Sequence, residues 1–219
     1  MKEYTQDVIV QDFKAQVYNG TVFSSKNIIA SFNSDKKSRI LLGAHWDSRP
    51  YADHDPNPDN HKTPIDGAND GASGVGVLIE VARQLSIKKP ELGVDIIFWD
   101  IEDYGEPQGT ETGKDDTWCL GSQHWAKNPH KQGYTARYGV LLDMVGGKNA
   151  QFAKEGSSMY YAPDVMNKVW DIANQLGYSS NFTNTLSPSI VDDHIYVNKL
   201  ARIPMIDIVE YNPNSNSYF

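Results

Sequence analysis

The alternation of hydrophobic and polar residues along the chain predicts strands and helices in turn. Residues 4–18 alternate as an edge strand does, and Asn19–Gly20 gives a turn signal directly after them. Five further apolar segments are predicted strands: KNIIASF, RILLGAH, VDIIFWDI, YGVLLDM and IPMIDIVEY. The unbroken apolar run in VDIIFWDI is typical of a central strand that is covered on both faces.

Helical patterns lie between these strands. One set of apolar residues repeats with the spacing of a helix: Val75, Leu78, Ile79, Ala82 and Leu85. The segment APDVMNKVWDIANQLGY has Pro near its start and Gly near its end, as helices often do, and LGSQHWAKN and DDHIYVNKL predict shorter helices. Strands alternating with helices predict a three-layer α/β fold, in which helices cover both faces of a mostly parallel, twisted sheet. We expect a single domain over residues 1–219.

Composition and charge narrow the function classes. The chain is 39% hydrophobic, with five Trp and twelve Tyr, which favours a folded domain over disorder. A net charge of −8 argues against a nucleic-acid partner, and no apolar run is long enough for a membrane span. Cys119 is the single cysteine, which excludes an internal disulfide and a thiolate zinc site. Residues 1–20 show no apolar signal-peptide core.

Acidic residues recur where the predicted central strands end. Asp47 follows RILLGAH, Glu102 and Asp103 close IIFWDIED, and Asp143 closes GVLLD. In a sheet of this type, ligands bind outside the carboxyl ends of the strands, so these carboxylates are expected to converge. Like charges this close would raise each other's pKa unless a cation neutralised them. Together with His45, such oxygen and imidazole ligands suit catalytic Zn²⁺ or a related divalent ion.

Each motif also has a purely structural interpretation when it is taken alone. The pair His45 and Asp47 could be structural or a cap, and Asp70 could be the N-cap of the helix that follows it. Glu102–Asp103 could be a solvated acidic pair, and the segment 192–194 could be a second N-cap. The coincidence of all four motifs favours a functional site.

Together the motifs resemble the zinc-dependent M28 peptidase superfamily. They are AHWDS, GANDGASGVGVLIEVARQL, IIFWDIED, LGSQHWA, LLDMVG and DDHIYV. The resemblance runs from about Lys26 to about Glu210, and it favours the bacterial glutaminyl cyclase branch because DDHI is followed by Arg202-x-Pro204. It implies an enzyme that converts the N-terminal Gln of peptides or proteins to pyroglutamate and releases ammonia. A zinc-dependent aminopeptidase and a non-catalytic binding domain of the same fold are the alternatives.

The resemblance implies a role for each matching residue. Asp70 and Asp103 would be zinc ligands, with Asp103 standing where the family usually has Glu. Glu102 would be the general base and acid, and Asp143 and Asp192 would complete a hydrogen-bond network around it.

In the two-zinc aminopeptidases of the superfamily the same positions serve differently. There His45 and Asp143 would bind a second zinc bridged by Asp70, and Asp47 would orient His45. One zinc ion is therefore expected for a cyclase and two for an aminopeptidase.

The resemblance also implies a further zinc ligand, a His after the last strand, but no His follows His194. We expect the segment with that ligand, and a leading helix, to lie outside these residues. Asp70 and Asp103 alone would then bind zinc weakly. His194 is a poor substitute by alignment, although geometry does not exclude it. Because bacterial relatives are commonly exported, the resemblance implies a periplasmic or cell-envelope location.

Overall fold

Eight strands occur in the part of the chain that the computed structural model describes, residues 1–107, 110, 112–114 and 116–211. They are β1 (Val8–Gln16), β2 (Val22–Phe32), β3 (Arg39–His45), β4 (Gly93–Trp99), β5 (Gly139–Asp143), β6 (Phe152–Lys154), β7 (Phe182–Leu186) and β8 (Met205–Val209). Six of them form the main sheet in the order β1-β2-β4-β3-β5-β8. Strands β4, β3, β5 and β8 run parallel, while β1 and β2 extend the sheet in antiparallel fashion. The prediction of a mostly parallel sheet is confirmed, and the structure adds the antiparallel pairings of β1 with β2 and of β2 with β4.

Helices cover both faces of the main sheet, as predicted. They are α1 (Ala72–Ile87), α2 (Leu120–Lys127), α3 (Gly156–Tyr161), α4 (Pro163–Gln175) and α5 (Asp193–Tyr196), the last continued by a π-helical turn at Val197–Ala201. Apolar side chains of α1 and α4 share the face of the sheet that carries Leu42 and Leu142. Trp125 of α2 packs on the opposite face with Leu41 and Leu141. These three layers bury the central strands from both sides.

The parallel strands deliver the candidate site to one edge of the sheet. His45 is the last residue of β3 and Asp143 is the last residue of β5. Strand β4 ends at Trp99, three residues before Glu102, and Ile101 between them has a positive φ of 53°. The chain therefore turns sharply after β4, and Glu102 lies in that turn instead of on the strand.

Three short elements were not predicted from the sequence: β6, β7 and α3. Strands β6 and β7 pair with each other outside the main sheet. β6 has three residues, and β7 is mostly exposed, so neither displays the apolar alternation that marks a strand. Within the described residues, no helix is long and apolar enough to cross a membrane.

Candidate active site

The imidazole of His45 lies between two carboxylates at the carboxyl edge of the sheet. Its Nε2 atom is 2.9 Å from Oδ1 of Asp70 and 3.2 Å from Oδ1 of Asp143. Burial opposes a charge on His45, but the contacts with Asp143, Asp47 and Asp70 raise its pKa well above the usual value. Without a metal, His45 therefore acts as a cation among these acids.

Asp70 is aimed at His45 and does not cap helix α1. The helix begins at Ala72, and its N-cap position is Gly71, which has no side chain to cap with. The N-cap interpretation of Asp70 is therefore wrong. Gly71 has a φ of 88°, and an added Cβ would lie 2.6 Å from the carbonyl oxygen of Asp47 and 3.0 Å from the ring of His45. Glycine is required here for both its conformation and its small size.

Asp47 holds the turn that carries the two acids after β4. Its Oδ1 accepts a hydrogen bond from the backbone N–H of Glu102 at 3.0 Å, and its Oδ2 accepts one from that of Asp103 at 3.1 Å. The distance from Oδ1 to Nδ1 of His45 is longer, at 3.5 Å. Burial opposes ionisation of Asp47, but the contact with His45 lowers its pKa. The carboxylate thus links the ends of β3 and β4.

Glu102 and Asp103 are only 8% and 5% exposed, so the interpretation as a solvated pair is wrong. Burial, and then the neighbouring Asp103, raises the pKa of Glu102 well above its usual value. Burial, and then Asp70, does the same to the pKa of Asp103. Oδ2 of Asp103 is buried and has no hydrogen-bond partner among the described residues. These acids are crowded, and one oxygen is left over for a further ligand.

Asp192 brings a fourth segment to the same place. It caps α5, because its Oδ1 accepts a hydrogen bond from the backbone N–H of Asp193 at 2.5 Å, so the N-cap interpretation holds here. An oxygen of Asp192 also lies within 4.8 Å of ligand atoms of Glu102 and Cys119. Burial, and then Asp143, raises the pKa of Asp192, and burial raises the pKa of Asp193 to about 7. Asp192 therefore both caps α5 and belongs to the acidic cluster.

Three residues that the sequence analysis did not assign also contact this cluster. Cys119 is fully buried, and its thiol donates to Oε1 of Glu102 at 3.1 Å. Arg49 donates from Nη1 to the backbone oxygen of Asp103 at 2.7 Å. Asp207 lies fully buried in β8, in one group with Asp192. Its one sequence signal was an acid inside the apolar run MIDIV.

The donor atoms fit a divalent cation. Four groups of described residues have ligand atoms within 4.8 Å of one another, and two of them contain His45: one with Asp70 and Asp143, the other with Glu102 and Asp103. Oxygen and imidazole donors of this kind suit zinc. His194 belongs to a different group, with Asp192 and Asp207. The geometry therefore places His45, and not His194, as the imidazole beside Asp70 and Asp103.

Comparison with known proteins identifies the family of this chain. The pattern of the peptidase family M28 matches residues 27–218. The chain belongs to the peptidase family M28. This confirms the resemblance on which the predicted site residues rest, while their individual roles stay predictions.

Two of the solved structures match nearly the whole chain. A Zn-dependent exopeptidase from Parabacteroides distasonis is 51% identical, with a TM-score of 0.97, over 100% of this chain and 76% of that one. A glutaminyl cyclase from Bacteroides thetaiotaomicron is 51% identical, with a TM-score of 0.95, over 98% and 74%. The glutaminyl-peptide cyclotransferase of Drosophila melanogaster is 30% identical over 58% of this chain. That match spans 34% of the fly protein, so the chain covers about a third of this curated relative.

Proposed function

We propose that this chain is the catalytic domain of a zinc-dependent glutaminyl-peptide cyclotransferase. It would convert an N-terminal Gln of a peptide or protein to pyroglutamate and release ammonia. The observation that carries this choice of reaction is that glutaminyl cyclases recur among the similar structures: those of Bacteroides thetaiotaomicron, Tannerella forsythia and Porphyromonas gingivalis are 51%, 50% and 44% identical over 98–100% of the chain. A cell-envelope location remains a prediction from the family resemblance.

Asp70, Asp103 and His45 would hold the zinc ion. Their donor atoms are buried, and Oδ2 of Asp103 has no other partner among the described residues. When bound, zinc supplies a Lewis acid that polarises the γ-carboxamide of the substrate. For a cyclase we propose one ion per chain. The additional His ligand implied by the resemblance stays a prediction about residues other than these.

Proton transfer would be the task of Glu102. As the α-amine nitrogen bonds to the carbonyl carbon of the side-chain amide (Cδ), the bond from that carbon to the amide nitrogen breaks. Glu102 would take a proton from the amine and deliver it to the departing nitrogen, which leaves as ammonia. Burial raises the pKa of Glu102, which brings the group closer to the range in which it can both take and give a proton.

Asp143 and Asp192 would support this transfer. An oxygen of Asp192 lies within 4.8 Å of a carboxylate oxygen of Glu102, close enough to share a proton with it through one water molecule. Asp143 contacts His45, which in turn stands beside Asp70. Because both side chains are carboxylates at this site, Asp143 and Asp192 would stabilise the positive charge that develops on the attacking amine.

A zinc aminopeptidase is the second candidate, and one observation favours it. Asp70 and Asp143 both contact Nε2 of His45. By the family resemblance, these three residues would together bind the second zinc of a two-zinc aminopeptidase. In that case Glu102 would activate water for attack on the first peptide bond. A binding domain without catalysis is the weakest candidate, because it gives no reason to maintain buried acids with raised pKa values.

Two measurements on the zinc-loaded protein separate these candidates. One peptide begins with Gln and a matched control begins with Leu, and mass spectrometry follows ring closure and loss of the first residue. We expect ammonia and pyroglutamyl peptide from the Gln peptide, an unchanged Leu peptide, and one zinc per chain. Release of free Leu with two zinc ions per chain would replace the cyclase by the aminopeptidase, and inactivity towards both peptides would leave the binding domain.

A further inference from the structure

The start of helix α3 holds the loop that leads to Asp192. We call residues 154–158 the α3 start and residues 187–191 the lead-in loop. Glu155, at the N-cap of α3, is fully buried. Its Oε1 accepts hydrogen bonds from the backbone N–H groups of Ser157 at 2.7 Å and Ile190 at 3.0 Å. One carboxylate therefore caps a helix and anchors a loop at the same time.

Further contacts join the two segments. The backbone N–H of Ser187 donates to the carbonyl oxygen of Lys154 at 3.1 Å, and Oγ of Ser157 donates to that of Ile190 at 3.3 Å. An added Cβ on Gly156 would lie 2.6 Å from Oγ and 2.8 Å from N of Ser189. Since Gly156 is helical, glycine is needed there for space and not for conformation.

Glu155 also reaches the chain beyond Asp192. Its Oε2 lies 3.2 Å from Nε2 of His194, and both side chains are fully buried. Burial opposes its charge, but the contact with His194 and the backbone N–H groups lower the pKa of Glu155 to about 2. The carboxylate is therefore ionised at neutral pH. It accepts a hydrogen bond from Ile190 and contacts the ring of His194, and these residues lie two positions before and two positions after Asp192.

Few N–H or O–H donors reach the side chain of Asp192. Its Oδ1 accepts a hydrogen bond from the backbone N–H of Asp193, whereas its buried Oδ2 accepts none among the described residues. The neighbouring carboxylate of Asp207 is also buried, and two ionised carboxylates do not attract each other. The position of the Asp192 carboxylate therefore depends on the backbone around it. We propose that Glu155 and Gly156 are positioning residues, which fix Asp192 beside Glu102 by holding the lead-in loop on the α3 start. The catalytic part of this inference rests on the proposed function.

Two variants act on the loop by different physics. Glu155→Gln removes the charge and keeps the size, whereas Gly156→Ala keeps the charge and pushes the lead-in loop outward. Matched controls lie elsewhere: Asp95→Asn removes another buried carboxylate, and Gly76→Ala adds a methyl group to a helical glycine with open space around it. If Glu155→Gln fails to fold, Gly156→Ala decides the question alone.

The readouts are hydrogen–deuterium exchange of residues 187–194 and steady-state turnover of the Gln peptide. We expect both variants to increase exchange there and to lower kcat about 10- to 100-fold, with KM within about twofold of wild type, since small misplacements of catalytic groups carry penalties of this order. The controls should change neither quantity. Unchanged exchange would show that the α3 start does not hold the loop, and increased exchange with normal kcat would show that it does not position Asp192. A wild-type protein without cyclase activity would refute the proposed function, while exchange would still test the anchoring.

Discussion

Glu102→Gln is expected to lower activity and raise stability in the same protein. The amide retains the size of the side chain and an oxygen that can accept the thiol of Cys119, which is 3.1 Å from Oε1. It cannot take a proton from the amine of the substrate. General acid–base catalysis is worth about 10²–10⁴-fold, so turnover should fall by roughly that factor, equivalent to about 3–5 kcal/mol of barrier.

The gain in stability follows from the crowding of the acids. Ligand atoms of Glu102 and Asp103 lie within 4.8 Å of each other, and two unit charges at that distance repel by about 3.5 kcal/mol at an effective dielectric constant of about 20. A separation shorter than 4.8 Å would increase that repulsion, whereas the raised pKa values decrease it by leaving part of the pair protonated. Substitution should therefore stabilise the metal-free protein at neutral pH by an amount on the order of a few kcal/mol.

The gain in stability from Glu102→Gln should depend on pH. Burial raises the pKa of Glu102 in the folded state, so the folded protein binds this proton more tightly than the unfolded chain. Wild type therefore loses stability as the pH rises above the ordinary value of 4.5, whereas Glu102→Gln lacks this loss. Urea unfolding of wild type and Glu102→Gln, both kept metal-free with a chelator, measures the difference in their stability from pH 4 to pH 8. This difference should be smallest at pH 4. A parallel pair of pH curves would refute the crowding argument, and near-normal turnover would remove Glu102 from the mechanism.

Other substitutions test the remaining parts of the site. Asp70→Asn should weaken zinc binding in calorimetric titrations without destabilising α1, because Asp70 does not occupy the N-cap; unaltered zinc affinity would exclude it as a ligand. Asp47→Asn leaves one of two backbone N–H groups without its acceptor, so urea unfolding should show a loss of about 1–3 kcal/mol, and an unchanged midpoint would contradict this. Outside the site, His130 accepts a hydrogen bond from the indole of Trp125, and burial lowers the pKa of His130 to about 4. Wild type should therefore lose stability as the pH falls from about 6.5 to 4, by less than about 3 kcal/mol because the ring is partly screened by solvent. His130→Gln should lack that loss, and an equal loss in the variant would assign it elsewhere.

The sequence predicted the place of the site well, because each central strand is a clear apolar run followed by an acid. His45 and Asp143 end β3 and β5 at neighbouring positions of the sheet, as the strand-end pattern indicated. The edge strand within residues 4–18, the helices on both faces and the family were also predicted. These features depend on local patterns that a single segment of chain displays by itself.

What the sequence did not show depends on contacts between distant segments. Local preference favours Asp70 as a cap, but His45 lies close enough to take its carboxylate, and Gly71 becomes the N-cap. Asp47 bonds to the turn after β4 because β4 pairs with β3, and no local pattern sets that pairing. Glu155 gave no signal, since α3 is a single short helix and the loop it anchors lies more than 30 residues away.

The two ends of the main sheet treat buried acids in opposite ways. At the amino end, Asp95 receives hydrogen bonds from Arg39, Ser31 and Tyr134; although burial opposes its charge, these lower its pKa. At the carboxyl end, buried oxygens of Asp103 and Asp192 have no such partners among the described residues, and burial raises both pKa values. A fold that neutralises one buried acid so fully has the means to neutralise the others. That it leaves them crowded at the edge where the family resemblance implies zinc ligands supports the proposal that a cation completes the charge balance there.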